Sequence, residues 1–416
     1  MPQDTTVVAL LAVGITIVVT QLAGQLALRI GQPRVIGDLV GGILLGPSLL
    51  GSLFPDFSGW LFAPAVIQQL NLLAQLGLAL FMFLVGADLN PSLLQGRLPL
   101  ASRISATGVA LPMVLGVGLA LMLERWQPDL LPGDYTVAGA LFMGTAMAIT
   151  AFPVLARILE ERNLMGQPLG ALAISAAAID DVVGWSLLAT VVAFSRAGSP
   201  LGVLTTLFGT AGYAGLLLIS TVPLRRLLGR WHHNGQPQGD LGMTLLLTGA
   251  LFSGVVTEML GVHVIFGAFL WGLCMPRQPD WQQWLVLRLD FVVLRLLLPL
   301  VFAVSGLNTR IGSLNSLSLW LAFGLVLVVA VLGKFLGVSL VARAGGVPAR
   351  QAQALGWLMN TRGLTELVVL NVGLSLGVIS PALFTIGVLM ALITTALAGP
   401  QLERLGYARP SLAAPM

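Results

Sequence analysis

Residues 171–192, ALAISAAAIDDVVGWSLLATVV, form an apolar run long enough to span a bilayer, with two adjacent carboxylates, Asp180 and Asp181, at its centre. A helix entering the membrane near Leu169 carries this pair roughly 17 Å into about 30 Å of hydrocarbon, too deep for a short acidic side chain to reach a headgroup. Each charge at that depth costs on the order of 3 kcal/mol, and more when it is left unpaired. Two acids in sequence therefore require a hydrated cavity, a counter-charge, or both. A structural pair hydrogen-bonded to neighbouring helices meets that requirement. So does an ion or proton site, the reading that intramembrane acids favour.

The rest of the chain fits a membrane setting. Of 416 residues 56% are hydrophobic and 9% charged, and the mean hydropathy is +0.93, which excludes a soluble globular domain of this size. The 49 glycines and 23 prolines suit closely packed and locally broken transmembrane helices. A single cysteine, Cys274, excludes an internal disulfide framework and a cysteine-based metal cluster. His232 and His233 fall in a polar loop and His263 near a helix start, without metal-ligand spacing. No resident cofactor is expected. The net charge of +4 arises from basic loops and is read as an orientation signal, with no nucleic-acid partner implied. The N-terminus, MPQDTTVV, lacks a positive region and runs straight into a full-length span, so it reads as a retained first helix.

Apolar spans separated by polar or Pro/Gly-rich turns predict about thirteen helices in an all-α polytopic membrane protein. They fall near 6–28, 35–50, 66–87, 101–123, 135–159, 168–194, 201–223, 240–259, 262–274, 284–307, 318–342, 351–375 and 382–403. With the N-terminus outside, the inner segments hold fifteen arginines: 29, 34, 97, 103, 157, 162, 225, 226, 230, 277, 288, 343, 350, 404 and 409. The outer segments hold only Arg125, Arg196 and Arg310, while Arg295, Lys334 and Arg362 fall within spans. This bias predicts an outside N-terminus and an inside C-terminus.

The fifth span is interrupted at TAMAITAFP (Thr145–Pro153) and the twelfth at MNTRGLTE (Met359–Glu366), about half a chain later. An odd number of helices separates them, so the two run in opposite directions. Helices 1–6 and 8–13 then form two inverted repeats joined by helix 7, with crossed broken helices 5 and 12. Paired breaks at corresponding positions point to a substrate site near the bilayer midplane. A proline kink at Pro153 and a loosened turn at Gly363 are the plainer alternative. The polar residues at both breaks weigh against it.

Lys334, in VLGKFLG, is the sole lysine of the chain. It lies about 12 Å from the inner end of its helix, at the limit of snorkelling. Facing inward instead, it pairs with one of the aspartates, an interaction worth roughly 4 kcal/mol at 4 Å and an effective dielectric of 20. A lysine can also lose its proton when a cation takes over its partner, which an arginine cannot readily do. Adjacent helical residues point about 100° apart. The two acids need not do the same work, and the assignment made is Asp181 to the cavity as cation and proton carrier and Asp180 to Lys334. Hydroxyl and carbonyl oxygens of Thr150 and of the unwound backbone at Ile149 and Ala151 would complete a hard-cation site, with sodium at Asp180 and Asp181. Arg362 and Glu366, spaced i,i+4, read as a structural ion pair that compensates half-helix dipole ends. Arg34 is placed to pair with Asp38, and Gly42-x-x-x-Gly46 is a helix-packing signal.

Several segments carry a resemblance: QPRVIGDLVGGILLGPSLLG (32–51), LFMFLVGADL (80–89), AMAITAFPVLARILEE (146–161), ISAAAIDDVVGW (174–185), GVHVIFGAFLWG (261–272), VFAVSGLNTRI (301–311) and NTRGLTELVVLNVG (360–373). With them the chain closely resembles the monovalent cation:proton antiporters, in the branch of plant and fungal cation/proton exchangers and bacterial sodium/proton antiporters. The resemblance implies a homodimer working by elevator-type alternating access in pH homeostasis. The expected core is 101–194 with 318–403, and the interface and connector are 1–100 with 201–317. By position Asp181 looks like the essential ion-binding aspartate, Asp180 like the lysine-paired one, and Lys334 like that lysine. Many plant relatives have Asn-Asp where this chain has Asp180-Asp181. Relatives with Asp-Asp and lysine resemble the electrogenic type, exchanging two protons for one sodium. Potassium-efflux relatives carry a nucleotide-binding domain, and no such soluble regulatory domain is expected here. A bacterial cytoplasmic membrane is the expected location.

The alternatives are a potassium/proton or electroneutral exchanger of the same fold, an intramembrane enzyme, and a channel. Neighbouring acids on one helix diverge too far for the shared-proton dyad of an aspartyl protease, and the spans show no Ser/His arrangement, so no enzyme is expected. A channel needs a continuous pore lining where the sequence shows one focal site.

Overall fold

The computed structural model describes residues 4–88, 98–132, 136–196, 200–230, 232–233, 236–237, 240–276 and 279–407. Arg97, Arg277 and Arg409, three of the arginines counted for orientation, lie outside the described residues. The chain is helical throughout, apart from a two-residue antiparallel pairing of His232–His233 with Gln236–Pro237. In order the helices are α1 (Thr5–Arg29), α2 (Arg34–Leu45), α3 (Leu50–Leu53), α4 (Pro55–Leu61), α5 (Pro64–Asp88), α6 (Leu98–Trp126), α7 (Thr136–Ala148), α8 (Phe152–Glu161) and α9 (Pro168–Arg196). They continue with α10 (Pro200–Arg230), α11 (Asp240–Met259), α12 (Val264–Leu273), α13 (Pro279–Asp290), α14 (Leu298–Leu307), α15 (Leu317–Ala344), α16 (Ala349–Met359), α17 (Leu364–Ser375) and α18 (Pro381–Arg404).

Among the described residues nine helices are long and apolar enough to cross a membrane, and Val137–Ala148, Val264–Leu273 and Thr365–Ser375 are shorter apolar helices. Every expected interval contains helix. The difference from thirteen continuous spans has local causes. The 135–159 span divides into α7 and α8, and the 351–375 span into α16 and α17. The 284–307 span is composite, with a π-helical turn, Phe291–Leu297, between α13 and α14. Prolines open α5, α9, α10, α13 and α18, where the missing N–H costs nothing. Ser316 and Ser380 cap α15 and α18 by accepting from Leu319 N at 3.3 Å and Leu383 N at 3.2 Å.

The chain divides into two compact units. The first comprises Met1–Ile17, Leu61–Pro91 and Ala189–Val304. In it α5 and α12 pack backbone to backbone, with Gly86 over the Phe269 carbonyl and Gly272 over that of Phe83. Arg225 of α10 satisfies the open carbonyls after α12, donating to Leu273 O at 3.2 Å and Met275 O at 3.0 Å.

The second unit comprises Val18–Trp60, Ser92–Leu188 and Ser305–Met416, and it holds both broken helices. Residues 18–60 and 305–317, grouped by the sequence with the interface set, pack in this unit. Glycine allows it: a Cβ on Gly306 would overlap the Gly42 carbonyl group, and one on Gly46 would overlap that of Gly306. The Gly42/Gly46 signal thus serves packing inside the chain. Arg34 pairs with Asp38 at 3.7 Å, as their spacing predicts, and also bonds Gln21. Helix α6 is clamped on two sides. Gly337 of α15 lies on its backbone, where Thr107 Oγ1 donates to Gly337 O at 2.8 Å, and Gly144 of α7 meets Gly116. These contacts carry α6, α7 and α15 to one place.

Candidate functional site: two helix breaks and a buried acid pair

The chain leaves helix at 149–151 and again at 360–363, and the two interruptions meet: Ala151 N donates to Thr361 O at 3.1 Å. Each interruption exposes carbonyls that have no partner within their own helix. At the end of α7 two cations from elsewhere in the unit supply donors. Arg362 donates to Ala146 O at 2.5 Å and Met147 O at 2.7 Å, while Lys334 bonds Ala148 O. Positive side chains at the negative end of a helix are doubly favourable, as hydrogen bonds and as dipole partners. At the end of α16, Met359 O receives Thr150 Oγ1 at 3.0 Å and Leu358 O receives Thr361 Oγ1 at 2.8 Å. Thr395 of α18 holds the second break from behind, accepting from Arg362 N at 2.8 Å and bonding Arg362 O.

Asp180 is fully engaged. Its Oδ1 accepts from Ser105 Oγ at 2.6 Å, and its Oδ2 from Lys334 Nζ and Thr150 Oγ1, each at 2.8 Å. The Thr150 hydroxyl has one proton, shared between Asp180 and the Met359 carbonyl. Asp180 is thus held by a charge and two hydroxyls, the arrangement that makes a buried carboxylate tolerable.

Asp181 is the opposite case. Only 2% exposed, it has two carboxylate oxygens without a hydrogen-bond partner. Its electrostatic neighbours are Asp180, Lys334 and the backbone N–H of Phe152 at the positive end of α8. On α9 the two acids point to different sides, as adjacent helical positions must. One side meets α6 and α15 through Ser105 and Lys334. The other meets the first break, where Gly184, one turn on from Asp181, leaves room for Ile149.

Arg362 Nη1 lies 2.9 Å from Glu366 Oε2, and both side chains are buried. Taking the five groups at their ordinary ionisation, Lys334 offsets Asp180 and Arg362 offsets Glu366. One negative charge is left over, and it belongs to Asp181.

The backbone at the first break is more occupied than the sequence suggests. Ala151 O starts the α8 ladder by accepting from Leu155 N at 2.9 Å, and Ile149 N donates to Thr145 O at 3.2 Å. Thr150, expected beside the cation, sits on Asp180. Ser105 carries no sequence signal of its role, because one hydroxyl in a long apolar span looks like any other. Asn360 and Thr365 also carry buried side-chain atoms without a hydrogen-bond partner, and only their place next to the second break marks them.

A polytopic helical unit with two half-helix breaks in contact, and an unmatched acid beside them, defines a membrane transport protein for small cations. The chain belongs to the sodium/hydrogen exchanger, transmembrane family, whose model matches residues 14–406. It is 39% identical over 412 residues to the Na(+)/H(+) antiporter NhaS4 of Synechocystis sp., covering 98% of this chain and 100% of that one. It is 40% identical over 392 residues to cation/H(+) antiporter 17 of Arabidopsis thaliana, covering 94% of this chain but 47% of the relative, so it spans about half the plant protein's length. Among solved structures it resembles the sodium proton antiporter MjNhaP1 from Methanocaldococcus jannaschii, with a TM-score of 0.70 at 16% identity over 99% of this chain and 100% of that one. At that identity the likeness is one of fold. The family is one of transporters, and the chain is a multi-pass membrane protein of the cation/proton antiporter kind.

Proposed function

We propose that this chain exchanges sodium, or lithium, for protons at Asp181. The observation that carries the reading is the contrast between the two acids. Asp180 has a salt-bridge partner and three donors, whereas neither oxygen of Asp181 takes a hydrogen bond and its nearest help is the Phe152 N–H and the Lys334 charge, already paired with Asp180. A single monovalent cation or a single proton neutralises the leftover charge, and the two cannot occupy the same oxygens together. Competition for one carboxylate is sufficient to couple opposite fluxes, provided the site opens to one side of the membrane at a time.

The second unit, with both breaks, is the element we assign to carry Asp181 between the two sides, in an elevator-type motion within a homodimer. Exchange is electrogenic in this reading, with one proton competing at Asp181 and a second bound at another group moving against one cation, so that a membrane potential contributes about 2.3 kcal/mol per 100 mV for each net charge. An outside N-terminus and a bacterial cytoplasmic membrane complete the assignment. Potassium is the second reading, since the plant relative is named for cations at large. The test is current measured on solid-supported membranes after sodium, lithium and potassium steps. A saturable, pH-dependent sodium current that vanishes in Asp181→Ala is expected. Equal current from the variant refutes the role of Asp181, and a larger potassium than sodium current moves the selectivity to the second reading.

A further inference from the structure

Glu366 does not have the surroundings of an ordinary salt-bridged carboxylate. Its Oε2 takes a single hydrogen bond from Arg362, while its Oε1 is fully buried and has no hydrogen-bond partner. Arg362 is occupied with more than this acid, because the same guanidinium closes α7 through the Ala146 and Met147 carbonyls. Glu366 also lines a cavity of about 10 Å³, whose other lining side chains, among them Phe142, Met147, Val326, Leu383 and Met390, are apolar. That volume admits one water at most, and a buried water needs two or more polar partners where this lining offers one. The charged and titratable groups that act on Glu366 are Arg362 at the break and Lys334 on α15; the cavity faces of α7, α17 and α18 add none. An oxygen in such a place tolerates a bound proton far better than a negative charge.

We propose that Glu366 is a second proton-binding site of the transport core, carrying its proton on Oε1 in this conformation. The step is a simple protonation: the carboxylate takes a proton delivered by water and becomes a carboxylic acid, with no other bond made or broken. Oε2 continues to accept from Arg362, whose charge stays matched to the negative end of α7. Loss of the proton demands that water reach Oε1, which requires the α7, α17 and α18 walls to separate. Deprotonation and a change of conformation are therefore one event. In the exchanger reading, on which this role rests, Glu366 supplies the second proton. Lys334 is held apart from this site by its bonds to Asp180 and the Ala148 carbonyl.

The full-length protein without sodium, lithium or potassium provides the test, so that the outcome does not depend on transport. Infrared difference spectra across a pH titration should show a carboxylic-acid C=O band that is present in the wild type and in Asp181→Asn and is lost in Glu366→Gln. Glu366→Gln, which mimics the neutral acid, should melt no lower than the wild type. A band that survives Glu366→Gln overturns the proposal. So does a Glu366→Gln protein that melts lower at every pH, the signature of a carboxylate needed as an anion. In proteoliposomes the proton-to-cation ratio from reversal potentials should fall from two to one in Glu366→Gln, and an unchanged ratio overturns the coupling role. A wild type with no cation-driven exchange would instead sink the exchanger reading, leaving the spectroscopic result to stand alone.

Discussion

Lys334 Nζ stands 2.8 Å from Asp180 Oδ2, with both side chains closed off from solvent, and the same ammonium caps the end of α7. The ion pair is thus also a helix cap. Removing one partner of such a pair costs more than the pair itself contributes, since the survivor is a buried charge with no compensation. Lys334→Ala is expected to destabilise the purified protein by about 3–5 kcal/mol. Lys334→Met combined with Asp180→Asn should recover part of that loss, and a double-mutant cycle of thermal unfolding measures the coupling. A Lys334→Ala protein as stable as the wild type would show that the ammonium does not hold Asp180.

The two acids should respond to amidation in opposite ways. Asp181→Asn removes an unmatched charge, so the variant should be at least as stable as the wild type while losing cation-driven proton flux altogether. Asp180→Asn strands Lys334 and should lower the melting temperature. Paired melting and flux assays decide the matter, and the reverse ordering of stabilities would exchange the roles given to the two residues.

Ser105 contributes the 2.6 Å hydrogen bond to Asp180 Oδ1 and bridges α6 to α9. Ser105→Ala should cost about 1.5–3 kcal/mol, the range for a hydrogen bond to a charged group. Ser186, on the same helix as Asp180, is exposed and donates its hydroxyl to Val182 O one turn back, and Ser186→Ala should stay within about 0.5 kcal/mol of the wild type. Similar losses at the two positions would remove Ser105 from the site.

Backbone contact between α2 and the end of α14 leaves no space for a methyl group at Gly306. Gly306→Ala is expected to cost about 1–3 kcal/mol or more through forced separation of the two segments. Gly312 has nothing within 4 Å of the corresponding position, and Gly312→Ala should be neutral in the same melting assay.

Much of this arrangement is legible from residue types alone. The breaks fall within the stretches flagged by Pro153 and Gly363, because polar residues in the middle of an apolar span need partners that lipid does not offer and an opened backbone does. The Asp180–Lys334 pairing is accessible because the chain has a single lysine and places it in a span. Thr150 shows where such reasoning stops. Its position beside the break is readable, but its rotation toward Asp180 depends on where α16 ends, more than 200 residues away. Ser105 is unreadable for the same reason, since its partner is fixed by glycine contacts at Gly337 and Gly144 that set the rotation of α6. The π-helical turn at Phe291–Leu297 also leaves no composition signal, so the 284–307 span reads as continuous.

The donors that close the end of α7 come from residues synthesised much later: Lys334 is 186 positions beyond Ala148, and Arg362 is 216 beyond Ala146. During synthesis the half-helix α7 therefore enters the bilayer with its last carbonyls bare and waits through the making of eight further helices for Lys334 and nine for Arg362, a delay of roughly 10–40 s at ordinary elongation rates. Insertion of this protein cannot be finished span by span. The nascent first half must be sheltered, by the insertion machinery or by water, until its last third arrives.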